Sequence, residues 1–215
     1  VLSCNLAPAE PEISHHCRQA VCVPRLCTHI AAKRKTGLGA STEFLTGGTG
    51  GLGLLTARWL AQQGALVLIL ASRSGSLPAS AMDKNVQLQA FLSNVLVESC
   101  DASEAVDVRQ CVFLGSLGGV WHMAGLLSDG TLAHQGVASL RRVYGPKAHG
   151  AAALGHACSV SALHSFVFFS SVAALLGSSG QANYASANSV LGMCSLWRRG
   201  EGLVGVSVQW GAWAE

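Results

Sequence analysis

The chain has 215 residues, 50% of them hydrophobic and 12% charged, with a formal net charge of +3. That balance excludes a disordered polypeptide and leaves room for one domain with a sizeable core. The basic clusters, Lys33 to Lys35, Arg141 with Arg142 and Arg198 with Arg199, are short and lack aromatic neighbours. They read as solvated faces, not as a nucleic-acid surface.

Eight cysteines could signal a disulfide framework. A long, glycine-rich, strongly patterned chain with no secretory segment ahead of it does not need one, so reduced thiols are expected, in a cytosol or, as the other setting, a plastid. The longest apolar run, Cys111 to Leu127, is broken by Gly115, Ser116, Gly118, Gly119 and His122, and no membrane-spanning helix is expected.

Residues 1–41 show no clear period and are interrupted by Pro8, Pro11 and Pro24, so this segment is poorly specified. His15, His16, Cys17, Cys22, Cys27 and His29 form a metal-like cluster within it, but the cysteines stand five apart where zinc sites use pairs two to four apart. No metal is expected.

Order begins at Glu43. A short strand (Phe44 to Thr46), a glycine turn, a helix from about Gly51 to Gln63 and a second strand (Ala65 to Ala71) form a unit of parallel type. In the turn, Gly48, Gly50 and Gly53 satisfy G-x-G-x-x-G, while Gly47, Gly51 and Gly53 satisfy G-x-x-x-G-x-G. Glycines there allow a tight turn, close approach of a pyrophosphate and close helix packing, which points to a dinucleotide. Thr49 and Leu52 complete the candidate loop.

Twenty positions after Gly53 stands Arg73, between Ser72 and Ser74. A guanidinium with flanking hydroxyls suits a ribose 2′-phosphate, where an acid would suit the free hydroxyl, so NADPH is expected over NADH. Residues 79–93 read as a loosely amphipathic helix and Asn94 to Ser99 as a third strand, leaving Asp101 and Ala102 at a strand end where adenine could be contacted. Asp101 could equally serve as a helix cap. The helix after it, within Ser103 to Leu114, looks clipped, and Gly118 to Met123 reads as a fourth strand. Its small residues Ala124 and Gly125 would let a nicotinamide ribose lie over the backbone. His122 is a tempting general base, but a lone histidine in an apolar run is read as a packing residue.

A long helix is expected from about Val137 to Cys158, bent by Pro146 just before Lys147. After the strand Leu163 to Phe169 comes Ser171, and thirteen positions on comes Tyr184, near the start of a helix over 181–199 that also carries Asn188 one turn later. A hydroxyl, a phenol and an amide converging there could hold a carbonyl oxygen and protonate it. The same helix is predicted to bury Val190, Met193 or Cys194, and Trp197. Val204 to Trp210 is a last strand, and a parallel sheet stopping there suggests truncation at its C-terminal edge. The expected fold is therefore α/β, a doubly wound Rossmann sheet with helices on both faces, occupying residues 42–215.

These residues carry a family likeness. TGGTGGLG (Thr46 to Gly53), SRSG (Ser72 to Gly75), CDAS (Cys100 to Ser103), HMAG (His122 to Gly125), PKAHGA (Pro146 to Ala151), FSS (Phe169 to Ser171), GQANYASAN (Gly180 to Asn188) and WGAWAE (Trp210 to Glu215) occur in family order. The chain resembles the short-chain dehydrogenase/reductase superfamily and, within it, the ketoreductase domains of polyketide synthases and animal-type fatty acid synthases. Most of that superfamily place a lysine four residues after the tyrosine, whereas here Asn188 stands there and the lysine is upstream as Lys147, the exchange that synthase ketoreductases show.

The resemblance implies Tyr184 as proton donor, Ser171 as carbonyl hydrogen-bond donor, Lys147 as the partner that lowers the phenol's pKa and binds cofactor, and Asn188 as an orienting group. It implies NADPH, a β-ketoacyl thioester on the phosphopantetheine arm of an acyl carrier protein, and neighbouring synthase domains as partners. Leu127-Ser128-Asp129 resembles the Leu-Asp-Asp signature of B-type domains with Asp129 kept, and Leu176 stands where A-type domains have tryptophan. The alternative is a non-catalytic NADPH-binding or scaffold domain, motivated by the short segment Ser103 to Leu117 and by the lid helix and last strand that would come after Glu215. A free-standing dehydrogenase acting on a small alcohol is disfavoured by the displaced lysine.

Overall fold

The computed structural model of the chain describes residues 15–17, 20–22, 41–78, 94–114 and 116–211. It divides into two compact units, residues 1–35 and 36–215. In the first, β1 (His15–Cys17) pairs antiparallel with β2 (Ala20–Cys22). The side chains of the metal-like cluster, the expected helix over 79–93 and the last residues of WGAWAE lie outside the described residues.

The second unit alternates strands and helices: β3 (Thr42–Thr46), α1 (Gly51–Gln62), β4 (Val67–Ser72), β5 (Asn94–Ser99), α2 (Ala105–Val112), β6 (Leu117–His122), α3 (Val137–Tyr144), α4 (Gly150–Ala157), β7 (Ser165–Ser171), α5 (Ala173–Leu176), α6 (Ala182–Gly200) and β8 (Val206–Trp210). The six strands form one sheet in the order β5-β4-β3-β6-β7-β8, all parallel. The order reverses between β3 and β6, which opens a crevice at the carboxyl ends of those strands.

Alternation along each strand feeds two cores. Phe44, Ile69, Val120 and Phe168 face one side, where Val108 of α2, Leu154 of α4 and Leu191 of α6 cover them. Their neighbours Leu45, Leu70, Trp121 and Phe169 face the other, under Leu54, Ala57 and Leu60 of α1. Both faces are thus covered by helices, as expected. Near the amino end of the central strand β3 the fully buried Glu43 accepts from the Trp121 indole N–H and the Ser41 hydroxyl, each at 2.7 Å.

Two expectations are corrected. The helical run does extend unbroken from Val137 to Ala157, but its irregularity is more than a bend at Pro146: Gly145–His149 forms a π segment between α3 and α4, closed by Gly150 N–H reaching Gly145 O. Pro146 has no N–H to give, so the ordinary bond back to residue 142 cannot form and the chain widens locally. The buried row of α6 is Asn183, Ala187, Asn188, Leu191, Ser195 and Arg198. Trp197 is 51% exposed and Met193 39%, while Val190 is half-buried. Small and polar residues face inward because the helix lies close on β7, where Arg198 stacks on Phe166 at 3.8 Å and donates to Val204 O.

Candidate active site

The turn after β3 is shaped by its glycines. Gly47 has φ 67°, a left-handed conformation, and a Cβ there would lie 2.9 Å from Ala124 N. A Cβ on Gly53 would lie 2.4 Å from Gly47 O, so only glycine lets α1 start against the turn. Gly48 is buried beneath, 2.9 Å in the same sense from Leu70 Cα, and packs rather than lines. Gly50 caps α1 without a side-chain bond, and the first turn holds no acidic residue. Its N–H groups and the positive helix end therefore face open space, a setting for a phosphate.

That space is a cavity of about 1080 Å³ lined by Gly47, Thr49, Gly50, Gly51, Leu52 and Gly53, then by Ser72, Arg73, Asp101, Ala102, Ala124 and Gly125. Every cofactor residue expected from this part of the sequence except Gly48 meets there. Arg73 is exposed, and its carbonyl accepts from Ser99 Oγ at 3.3 Å. Asp101 Oδ1 accepts Ser103 N–H at 2.8 Å, so the carboxylate caps a turn while bordering the cavity. A cradle that a Cβ would fill, an uncapped helix start and a guanidinium between hydroxyls fit a nicotinamide dinucleotide.

A second cavity, about 230 Å³, shares Leu52, Met123, Gly125 and Leu126 with the first and adds Lys147, Ser171, Tyr184 and Trp210. The sequence-predicted lysine, serine and tyrosine thus meet beside the dinucleotide crevice. Lys147 leaves the π segment, is 4% exposed, and donates from Nζ to Phe169 O at 3.0 Å. The same Nζ stands 5.6 Å from the centroid of the Tyr184 ring. Burial lowers its pKa to about 8, because the ammonium has lost water. Gly125 makes room for it, since a Cβ there would lie 2.7 Å from Lys147 Cε. Ser171 closes β7, and its Oγ accepts Ala173 N–H at 3.2 Å, which leaves the hydroxyl proton for another acceptor.

Asn188 does not join them in the cavity lining. It is fully buried, donates from Nδ2 to Tyr184 O at 2.8 Å, and its Oδ1 has no hydrogen-bond partner among the described residues. Its contact is with the helix backbone that carries Tyr184. Asp129 is not among the residues lining either cavity; its Oδ2 accepts from Gln181 Nε2 at 3.1 Å. Asn183 ties the same segment down by donating from Nδ2 to Ser128 O at 2.8 Å and to Ser139 Oγ at 3.0 Å.

Several lining residues were not foreseen. Arg141 and Arg142, read from the sequence as solvated, are indeed exposed but border the large cavity. Trp210 lines the smaller one, its ring stacked on Phe169 at 5.2 Å. Position in a helix's last turn could have flagged the arginine pair; Trp210 falls in the family stretch that it opens, but its residue type alone does not mark it as lining a cavity.

Comparisons with known proteins agree with this geometry. The sequence profile described as "KR domain" matches residues 41–215. Polyketide synthase GfsB of Streptomyces halstedii is 42% identical over 180 residues, 82% of this chain but 3% of that protein. A mycocerosic acid synthase-like polyketide synthase of Mycobacterium tuberculosis is 39% identical over 178 residues, 80% of this chain and 8% of its own length. Among solved structures, an A-type ketoreductase from a modular polyketide synthase superposes with TM-score 0.79 at 34% identity, over 85% of this chain and 39% of that one. The first ketoreductase of the tylosin synthase gives 0.76 at 34%, over 83% and 41%. This chain therefore spans a small part of its curated relatives and well under half of those structures. Carrying the glycine crevice of a nicotinamide-binding fold and the lysine, serine and tyrosine beside it, the chain belongs to the ketoreductase domain family of polyketide synthases, within the short-chain dehydrogenase/reductase superfamily.

Proposed function

We propose that this domain reduces the β-keto group of an acyl thioester to a β-hydroxyl, using NADPH, with the thioester carried on the phosphopantetheine arm of an acyl carrier protein beside other domains of a polyketide or fatty acid synthase. The observation that carries this reading is the meeting of Lys147, Ser171 and Tyr184 in one small cavity that opens into the dinucleotide crevice.

When bound, the cofactor supplies the hydride. Ser171 Oγ–H and Tyr184 O–H donate to the substrate carbonyl oxygen and hold its carbon toward the crevice. Tyr184 would give its proton to that oxygen as the carbonyl becomes a hydroxyl, leaving the phenolate. A free phenol has pKa about 10 and is a reluctant acid; the Lys147 ammonium stabilises the phenolate and makes the transfer easier. Such proton donation is worth roughly 10² to 10⁴ in rate. Asn188 acts on the same tyrosine through its backbone carbonyl.

Arg73 between Ser72 and Ser74, with Arg141 and Arg142 on the same cavity, supports NADPH over NADH. Asp129, kept from the signature that Leu127-Ser128-Asp129 resembles and held by Gln181 three residues before Tyr184, supports B-type reduction to a D-configured hydroxyl.

Oxidation of NADPH by a β-ketoacyl N-acetylcysteamine thioester, followed by absorbance, tests the assignment. Wild type should turn over, while Tyr184→Phe should lose roughly 10² to 10⁴ in kcat and still bind NADPH. Saturable NADPH binding by wild type with no turnover would favour the scaffold reading instead.

A further inference from the structure

His122 has no part in the proton transfer above and lines neither cavity, yet it is fully buried and hydrogen-bonded through both ring nitrogens. Nε2 lies 3.0 Å from the carbonyl oxygen of Lys147, which can only accept, so Nε2 carries the proton. Nδ1 then accepts from the Thr46 hydroxyl, 2.7 Å away. The same hydroxyl oxygen accepts from Ala124 N–H at 3.5 Å. One directional chain therefore runs from the backbone beside Gly125, through the last residues of β3 and β6, to the backbone of Lys147. Burial holds the imidazole pKa down at about 4, which keeps the ring neutral and preserves this tautomer at neutral pH.

The ring is fixed from several sides. Phe168 of β7 meets it edge to face at 6.2 Å. Gly150, just past the π segment, allows the close approach: a Cβ there would lie 3.0 Å from His122 Cε1 and 2.8 Å from Ala102 O. A wide turn inside a helix departs from the regular backbone ladder and is held in place by what packs on it. Here the sheet supplies a directed donor to the residue whose ammonium must satisfy both Phe169 O and the Tyr184 face.

We propose that His122 is a positioning residue for the reduction: its Nε2–H, oriented by Thr46, pins the carbonyl of Lys147 and so sets where the Lys147 ammonium stands against Tyr184. This rests on reading Lys147 and Tyr184 as the catalytic pair. An ordinary core histidine would be replaceable by an apolar ring of similar size; a positioning donor is not, because what it transmits is the place of one backbone carbonyl. Displacement of a reacting group by about 1 Å costs on the order of 10²-fold in rate.

The test uses the whole chain as wild type, His122→Phe, His122→Gln and Thr46→Val. In cofactor-free protein, 15N shifts report the His122 tautomer and 13Cε-labelled lysine reports the Lys147 titration. We expect the Nε2–H tautomer in wild type, a displaced Lys147 titration in His122→Phe, and a smaller displacement in Thr46→Val. In turnover, His122→Phe should lose on the order of 10²-fold in kcat with its alkaline pH limb moved, and His122→Gln, which can still donate to the carbonyl, should recover about tenfold or more of that loss. An Nδ1–H tautomer, or a His122→Phe protein whose Lys147 titration and pH limb match wild type, overturns the proposal. Should His122→Phe fail to fold, the wild-type tautomer and the Lys147 titration of His122→Gln and Thr46→Val decide. Should wild type reduce no thioester, the reductase reading fails on its own while those cofactor-free titrations still decide on His122.

Discussion

The two cavities along the carboxyl ends of the strands are built on opposite plans. Around β3, β4 and β5 the surface is backbone: a glycine turn, the uncapped start of α1 and one exposed guanidinium. Around β6, β7 and β8 it is side chains, Lys147, Ser171, Tyr184 and Trp210 brought from four stretches of sequence, with an amine buried to 4% exposure among them. A backbone surface is sensitive to added atoms, because nothing in it can rotate away. A side-chain site is sensitive to small displacements, and it holds a charge that the fold would be more stable without. Binding and chemistry are thus exposed to different kinds of damage, and substitutions can separate them.

The largest effect should come from the chemical half. In Lys147→Met the stem is kept and the charge removed, so kcat/KM should fall by roughly 10² to 10⁴ as Tyr184 becomes a poorer acid. Stability should move the other way or not at all. The folded-state pKa of about 8 lies below the ordinary 10.5, so between those values the unfolded chain binds more protons and wild-type stability climbs as pH rises. At pH 7 the buried ammonium therefore costs about 3 kcal/mol net relative to the neutral amine, its bond to Phe169 O included. Urea unfolding should show Lys147→Met at least as stable as wild type at pH 7, without the gain between pH 8 and 10. In wild type, kcat/KM should decline as pH passes about 8, where the ammonium loses its proton. A variant markedly less stable at pH 7 would mean that the lysine is held for packing and not against a cost.

The binding half should break through volume. Gly53→Ala would place a methyl 2.4 Å from Gly47 O and 2.6 Å from the Gly48 backbone, and neither can swing aside. Overpacking of this kind costs about 1 to 3 kcal/mol, so NADPH affinity should drop about five- to 150-fold with a lowered Tm. Gly51→Ala is the control, since a methyl there meets nothing within 4 Å among the described residues and helix propensity favours it. Its Tm should hold or rise. Equal losses in both variants would show that the turn is not shaped by the Gly53 contact.

The same contrast explains which parts of the molecule are legible in the sequence. The glycine turn is legible because the demand for a missing Cβ leaves one residue type available, and the strand and helix around it repeat at periods of two and 3.6. The sheet follows from those periods. In the other half the residues are legible one by one, through a family resemblance, but the means of bringing them together is not. Pro146 announces a bend; the change of register that makes Gly145–His149 a π segment depends on bonds that no local pattern encodes. On α6, weighing hydrophobicity points to Trp197 and Met193, whereas close packing on β7 selects Ala187, Ser195 and the stacked Arg198. His122 reads as structural, and its burial agrees, but its link to Lys147 joins residues 25 apart through a carbonyl, which side-chain types cannot reveal.

The smallest effect, and the sharpest probe of cofactor choice, lies at Arg73. Its guanidinium is exposed and borders the crevice between Ser72 and Ser74, whose hydroxyls stand 3.4 Å apart. A charge-assisted hydrogen bond to a phosphate is worth about 1.5 to 3 kcal/mol, and solvent exposure keeps this one at the low end. Arg73→Ala should therefore weaken NADPH by about tenfold in fluorescence titration and leave NADH nearly unchanged. Because the lost contact is between exposed charges, the difference between the two proteins should shrink as salt is raised toward 1 M, where the screening length falls to about 3 Å. Arg141 and Arg142 border the same cavity and would retain part of the phosphate's attraction, so the triple alanine variant should lose more NADPH affinity than Arg73→Ala alone. Equal weakening of NADPH and NADH would place Arg73 on the adenine or the pyrophosphate and remove the 2′-phosphate as the reason for its presence.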